Sequence, residues 1–149
     1  MGLKVGDSAP HFSLTDQHGR TFHSKDLLGE KYMVLYFYPK DNTPGCTKQA
    51  CQFRDSYEDF IDNGAVVVGI SADSEKSHLR FADKYKLPFT LLADTKNKVR
   101  RLFKVENKLF FLPGRETFIV DPKGKIIMTF NSVNSYKHTK RALKTLKSK

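Results

Sequence analysis

The sequence predicts an α/β domain: a central mixed β-sheet flanked by helices, with a β-hairpin at the N-terminus. Three observations carry that expectation. Met33 to Tyr38 and Ala65 to Ser71 are unbroken apolar, β-branched and aromatic runs, the pattern of strands covered on both faces. Segments of helical character follow each run, so strands and helices alternate as in βαβ units. Near the end, Thr117 to Asp121, Pro122-Lys123-Gly124 and Lys125 to Phe130 read as strand, turn and strand, which adds antiparallel pairing.

The elements follow in order. His11 to Thr15 and Arg20 to His23 flank Asp16-Gln17-His18-Gly19, a hairpin with Gly where a turn needs it. Pro39 ends the first buried strand, and Lys40 to Gly45 is a turn-rich loop. A helix is predicted from about Pro44 to Asp62, stopped by Asn63-Gly64. After the second buried strand, Ser74 is placed to cap a helix running to Lys86, which Leu87-Pro88 breaks. Phe89 to Ala93 is a third strand, Lys96 to Phe103 a short helix, and Tyr136 to Lys147 a cationic last helix. With no repeat, low-complexity stretch or linker, residues 1–149 are expected to form one domain.

Composition narrows the function classes. No apolar run approaches the ~20 residues of a membrane span, and the first residues lack the apolar stretch of a signal peptide. A soluble, cytoplasmic protein is expected, or one of an organelle matrix or stroma if a targeting peptide has been trimmed. Net charge is +10 and uneven: residues 1–97 hold 12 basic and 13 acidic side chains, whereas residues 98–149 hold 14 and 3. The basic third leaves contact with nucleic acid or an acidic partner open. Without a nucleic-acid motif, a solvated surface is the preferred reading.

Two cysteines, Cys46 and Cys51, are too few for a secreted disulfide scaffold and point to redox chemistry. Cys46 falls in the first turn of the predicted helix, where unpaired N–H groups and the positive end of the helix dipole favour a thiolate, the reactive form. Thr43 offers a hydroxyl three residues earlier; Pro39 and Pro44 stiffen the loop. Cys51 lies about 140° further round the helix and ~7.5 Å along it. A disulfide wants Cα atoms within about 7 Å, so the two can bond only if the first turns unwind. Both the alternating core stripe (Ala50, Phe53, Tyr57, Phe60) and the polar side near Cys51 follow from helical spacing.

From Pro39 to Cys51 the sequence, Pro-Lys-Asp-Asn-Thr-Pro-Gly-Cys-Thr-Lys-Gln-Ala-Cys, strongly resembles the peroxiredoxins, and within them the bacterioferritin-comigratory, or Q-type, subfamily. Further segments resemble family counterparts, among them Val5 to Pro10, Val68 to Ser71, Lys86 to Phe89 and Leu112 to Phe118. The resemblance implies a thioredoxin-like fold and a thiol-dependent peroxidase acting on hydrogen peroxide and organic hydroperoxides in antioxidant defence. It implies Cys46 as the peroxidatic cysteine, oxidised to a sulfenic acid, and Cys51 as the resolving cysteine. It implies that Thr43 hydrogen-bonds peroxide and thiolate, that Pro39 shields the pocket, and that Arg115 is a distal activating cation. It further implies thioredoxin or a similar dithiol as reductant, a monomer, and no metal, flavin or haem. The apolar cluster Leu109, Phe110, Phe111 and Leu112 could flank the pocket or pack under its loop.

Other classes remain. A binding module would use the basic last third, with the thiols as a sensor. A disulfide oxidoreductase is disfavoured because such enzymes use C-x-x-C. A metal site lacks ligands nearby, since none of the five histidines lies within ten residues of either cysteine.

Overall fold

The structure, a computed structural model, describes residues 3–105, 107–108, 112–132 and 134–149. The apolar cluster Leu109 to Leu112, read as flanking the pocket or packing under its loop, lies largely outside them. Seven strands form one mixed sheet in the order β2-β1-β5-β4-β3-β8-β9. These are β1 (Ser13–Asp16), β2 (Thr21–His23), β3 (Tyr32–Phe37), β4 (Ala65–Ser71), β5 (Thr90–Ala93), β8 (Glu116–Val120) and β9 (Ile126–Asn131). Between β5 and β8, β6 (Asn107–Lys108) and β7 (Leu112–Pro113) make a separate two-residue ribbon. The two apolar runs became the central parallel pair, β3 beside β4, and the terminal hairpin pairs antiparallel through β8 with β3.

Strand β3 shows why its sequence is apolar throughout. Val34, Tyr36 and Tyr38 face one hydrophobic cluster, while Met33, Leu35 and Phe37 face another, because alternate side chains leave a strand on opposite faces. The first face is covered by α1 (Pro44–Asp55), α2 (Tyr57–Asp62), α3 (Glu75–Tyr85) and α5 (Ser135–Lys147). The second is covered by the N-terminal segment around Phe12 and by α4 (Lys98–Leu102) with the residues that follow it. Gly69 sits opposite Tyr36 in the β3–β4 register, and a Cβ there would come within 2.8 Å of the Tyr36 ring.

The single helix expected from Pro44 to Asp62 is two. Ser56, at φ −103° and ψ 7°, shares its N–H between the carbonyls of Gln52 and Arg54. Serine tolerates such turn-like backbone well, and the break re-aims α2 against β4 and α5. Phe53 and Phe60 still meet in the core, with ring centroids 5.5 Å apart. Ser74 caps α3 as expected, its hydroxyl accepting from the Ser77 N–H at 3.1 Å, and Lys86 ends that helix in the left-handed region. The basic surplus is displayed on α5, where Lys137, Lys140 and Lys144 are exposed and the Arg141 guanidinium lies 5.1 Å from the Phe130 ring centre. No helix among the described residues is long and apolar enough to cross a membrane.

Candidate active site

The loop leaving β3 delivers Cys46. Thr43 is the N-cap of α1, in extended backbone, and Pro44 opens the helix, where its missing N–H costs nothing and its fixed φ is already helical. Cys46 thus occupies the first turn and is 1% exposed, packed in the same cluster as Tyr36, Ala50 and Phe53. First-turn N–H groups have no intrahelical partner, and Thr43 makes no side-chain cap bond to them.

Arg115 arrives from the other side of the sheet order. Strand β8 runs antiparallel to β3 with Glu116 opposite Phe37, so the residue before β8 lies where β3 turns into the Cys46 loop. Its Nη2 donates to Cys46 Sγ at 3.4 Å and its Nη1 to Gln49 Oε1. A guanidinium held this way is a fixed cation that favours negative charge on the sulfur. Gly45 leaves the space for it, because a Cβ at that position would lie 3.1 Å from Arg115 Nη2.

A second buried arginine braces the frame. Arg100, on α4, donates from Nη1 to Gly114 O (3.0 Å) and from Nη2 to Tyr38 O (3.2 Å). It therefore ties the carbonyl before Pro39 to the carbonyl before Arg115. Asp94 holds α4 in turn, accepting the N–H groups of Val99 and Arg100. Burial lowers the Arg100 pKa, and the neighbouring Asp94 carboxylate opposes that shift.

The loop itself is pinned. Thr43 Oγ1 donates to Lys40 O at 2.8 Å, and Asn42 takes a left-handed φ of 62°. Asp41 is 5% exposed; its carboxylate accepts from the Tyr38 hydroxyl (2.6 Å) and the Ser77 hydroxyl (2.8 Å) and pairs with His78 Nδ1 (2.8 Å). Asp41, Asp73 and His78 are also the residues whose donor atoms converge within 4.8 Å. Those atoms are committed to one another and to Ser71, Ser77 and the Asp41 N–H, which leaves the group working as an internal hydrogen-bond cluster.

Of the residues expected from sequence, Cys46 and Arg115 are brought into contact, Thr43 stands at the N-cap position of the same helix, and Pro39 is half-buried at the start of the loop. Cys51 is half-buried on intact α1, and both thiols are free. Gln49, Arg100, Asp41 and His78 escaped the sequence reading. Gln49 had a signal, since it stands three residues after Cys46 and so shares its helix face. Tyr36 escaped too: its fully buried hydroxyl has no partner among the described residues. Burial raises its pKa well above the ordinary tyrosine value.

Residues 5–129 match the family model described as AhpC/TSA. The chain belongs to the AhpC/TSA family. Among its relatives is a chloroplastic peroxiredoxin Q of Sedum lineare, 53% identical over 145 residues that cover 96% of this chain and 77% of that one. The chloroplastic peroxiredoxin Q of Arabidopsis thaliana is 52% identical over 148 residues, covering 98% and 68%. Among solved structures, the peroxidoxin BcpB of Mycobacterium tuberculosis superposes with a TM-score of 0.91 at 36% identity, covering 98% and 97%. A bacterioferritin comigratory protein of Xanthomonas campestris, described for its alkyl peroxide reduction activity, gives 0.86 at 31%, covering 92% and 90%. The fold is therefore the thioredoxin-like fold of the peroxiredoxins, and as a member of this AhpC/TSA group the chain is a thiol-dependent peroxidase of the Q type.

Proposed function

We propose that Cys46 is the peroxidatic and Cys51 the resolving cysteine of this peroxidase, and that one chain suffices for both steps. The observation that carries this is the Arg115 contact to Cys46 at the start of α1, with Cys51 five residues along the same helix. The Cys46 thiolate attacks one oxygen of a hydroperoxide, the O–O bond breaks, and the other oxygen leaves as alkoxide or hydroxide and takes a proton. Arg115 and the first-turn N–H groups stabilise the charge that develops on these oxygens. Thr43 has its hydroxyl proton committed to Lys40 O, so it has accepting capacity left for a peroxide O–H, and Pro39 shields the same side. Cys51 then displaces hydroxide from the Cys46 sulfenic acid, forming a disulfide and water, and a thioredoxin-like dithiol reduces it.

The intact helix separates the two thiols by ~7.5 Å along its axis, so disulfide closure requires α1 to open at its start. Residues 1–149 act as one thioredoxin-like unit in this reading. The plant relatives are chloroplastic, which favours an organelle matrix or stroma over the cytoplasm for this chain.

Mass spectrometry after one equivalent of peroxide tests the assignment. The expected product is an intramolecular Cys46–Cys51 disulfide. Cys46→Ser should abolish peroxide consumption, and Cys51→Ser should react once per molecule and fail to turn over with thioredoxin. Normal turnover by Cys51→Ser would overturn the resolving role.

A further inference from the structure

The surroundings of Cys46 have two sides that are held differently. Arg115, Gln49 and the first turn of α1 hold Cys46, and all of those bonds involve α1. The Pro39–Asp41 side is held by bonds that do not. The Asp41 N–H donates to Asp73 Oδ2 (2.8 Å), and Asp73 is braced by the Ser71 hydroxyl (2.6 Å). The Asp41 carboxylate meets Tyr38, Ser77 and His78. These partners lie on the loop itself, at the end of β4 and on α3. His78 is 0% exposed, and its Nε2 faces the Leu92 carbonyl at 2.9 Å. A carbonyl only accepts, so Nε2 carries a proton, and the 2.8 Å contact between Nδ1 and Asp41 holds a second one. A buried carboxylate with two hydroxyl donors and a directed imidazole is costly to displace.

Between the two sides stands Asn42, whose left-handed φ of 62° is a conformation a non-glycine residue keeps only when its neighbours impose it. When α1 opens to let Cys46 reach Cys51, the Arg115 contacts and the Thr47 N–H bond to Thr43 O (2.9 Å) must break. Nothing that holds Asp41 need break.

We propose that Asp41 and His78 are positioning residues for the peroxidase reaction: they fix the Pro39–Thr43 wall of the pocket to β4 and α3 and confine the redox-linked unwinding of α1 to the chain beyond Asn42. The pair touches neither peroxide nor sulfur; it acts through the loop that carries Pro39 and Thr43. This inference rests on the Cys46–Cys51 reading above. Breaking the pair should let the wall drift, which slows attack on peroxide without slowing disulfide closure.

Two measurements test it. In the wild type, hydrogen exchange is compared between the reduced and the peroxide-oxidised protein. The amides of Tyr38 and Asp41 should keep their protection while those of Thr47 to Ala50 lose it; equal loss at Asp41 overturns the confinement. In variants, rapid-quench mass spectrometry separates sulfenic acid formation from disulfide formation. Asp41→Ala and His78→Leu should lower the second-order rate constant for Cys46 oxidation by about ten- to a hundredfold, the scale of an ångström-level misplacement, with closure as fast as in the wild type. His78→Asn, which keeps a donor near the Nδ1 position, should recover most of the loss. A folded Asp41→Ala protein with the wild-type oxidation rate overturns the positioning role, as does a slowing of both steps alike. If the wild type forms no Cys46–Cys51 disulfide, the functional reading fails and this inference with it; a wild-type disulfide alongside unimpaired variants sinks this inference alone.

Discussion

On one face of the sheet, Leu35, Phe37, Val68, Ile70 and Phe118 meet Phe12, Val99 and Phe103 in an apolar cluster. On the other, the same strands turn Val34, Tyr36, Tyr38, Val67 and Ile119 towards α1, α3 and α5, and Cys46, His78, His138 and Arg115 are buried there or at its rim. The difference teaches where this fold can afford chemistry. The first face is held mostly by apolar area, with buried Arg100 and Asp94 fastening α4 at its edge. The second buries ionisable groups because nearly every one has a partner: Arg115 has Cys46 and Gln49, His78 has Asp41 and Leu92, and His138 has Thr117 and Ser132. Strand β3 serves both, its odd-numbered residues packing against the first cluster and its even-numbered ones lining the side of α1.

If the two faces are separable, the largest effect on stability should come from the first and leave the chemistry alone. Phe103 is fully buried, with ring centroids 5.7 Å from Phe12, 5.5 Å from Phe37 and 5.3 Å from Phe118. Phe103→Ala should cost about 3–5 kcal/mol in urea unfolding, with the rate of Cys46 oxidation in the folded protein unchanged. A matching loss of rate would show that the faces are coupled through β3. Arg115→Ala is the converse. It should leave most of the stability and lower the oxidation rate by about 10²–10³, the cost of removing one preorganised charge donor. Arg115→Lys should recover only part, because a single ammonium cannot fork to both Cys46 and Gln49.

The next effect separates the two buried histidines of the second face. His78 meets a carboxylate, but His138 meets a hydroxyl: its Nε2 donates to Ser132 O (2.8 Å), and Nδ1 lies 2.7 Å from Thr117 Oγ1, which can donate to it when the ring is neutral. Burial, with a smaller push from Arg115, lowers its pKa to about 4. Between that value and the unfolded value near 6.5 the unfolded chain binds more protons, so stability rises with pH across this window. Lowering the pH from 7 to 4.5 should therefore remove about 2–3 kcal/mol through this one residue. Denaturant unfolding of the wild type and of His138→Asn at both pH values measures it; an equal pH dependence in the two proteins would clear His138 of the role.

Much of this was legible from the sequence, for reasons particular residues make plain. The apolar, β-branched runs Met33–Tyr38 and Ala65–Ser71 have the pattern of strands covered on both faces, and they are the central pair. Cys46 was legible because Thr43, Pro44 and a helix start specify its surroundings locally. Arg115 was not legible from spacing or composition; it stands 69 residues from Cys46, and only the antiparallel pairing of β8 with β3 brings it there. The same holds for Arg100 and His78, whose partners are set by strand order and helix packing. The break at Ser56 was hidden because the core stripe of Phe53 and Phe60 is equally compatible with one helix or two.

Gly45 offers the finest test of how tightly the second face is built. It is a helical residue, so alanine there would ordinarily stabilise the helix by up to about 1 kcal/mol. Its missing Cβ is also what lets Arg115 Nη2 sit 3.1 Å from the vacant position while reaching Cys46 Sγ. An alanine would push the guanidinium by a few tenths of an ångström, and the bonds to Cys46 and Gln49 share whatever strain results. Gly45→Ala should therefore hold or slightly raise the unfolding free energy and lower the Cys46 oxidation rate by about tenfold or less. Opposite signs in the two measurements would mean that the glycine is kept for the arginine's seat. A rate equal to the wild type would mean that Arg115 relaxes freely, and that the fixed-cation account of Cys46 activation needs a looser geometry than the one in this structure.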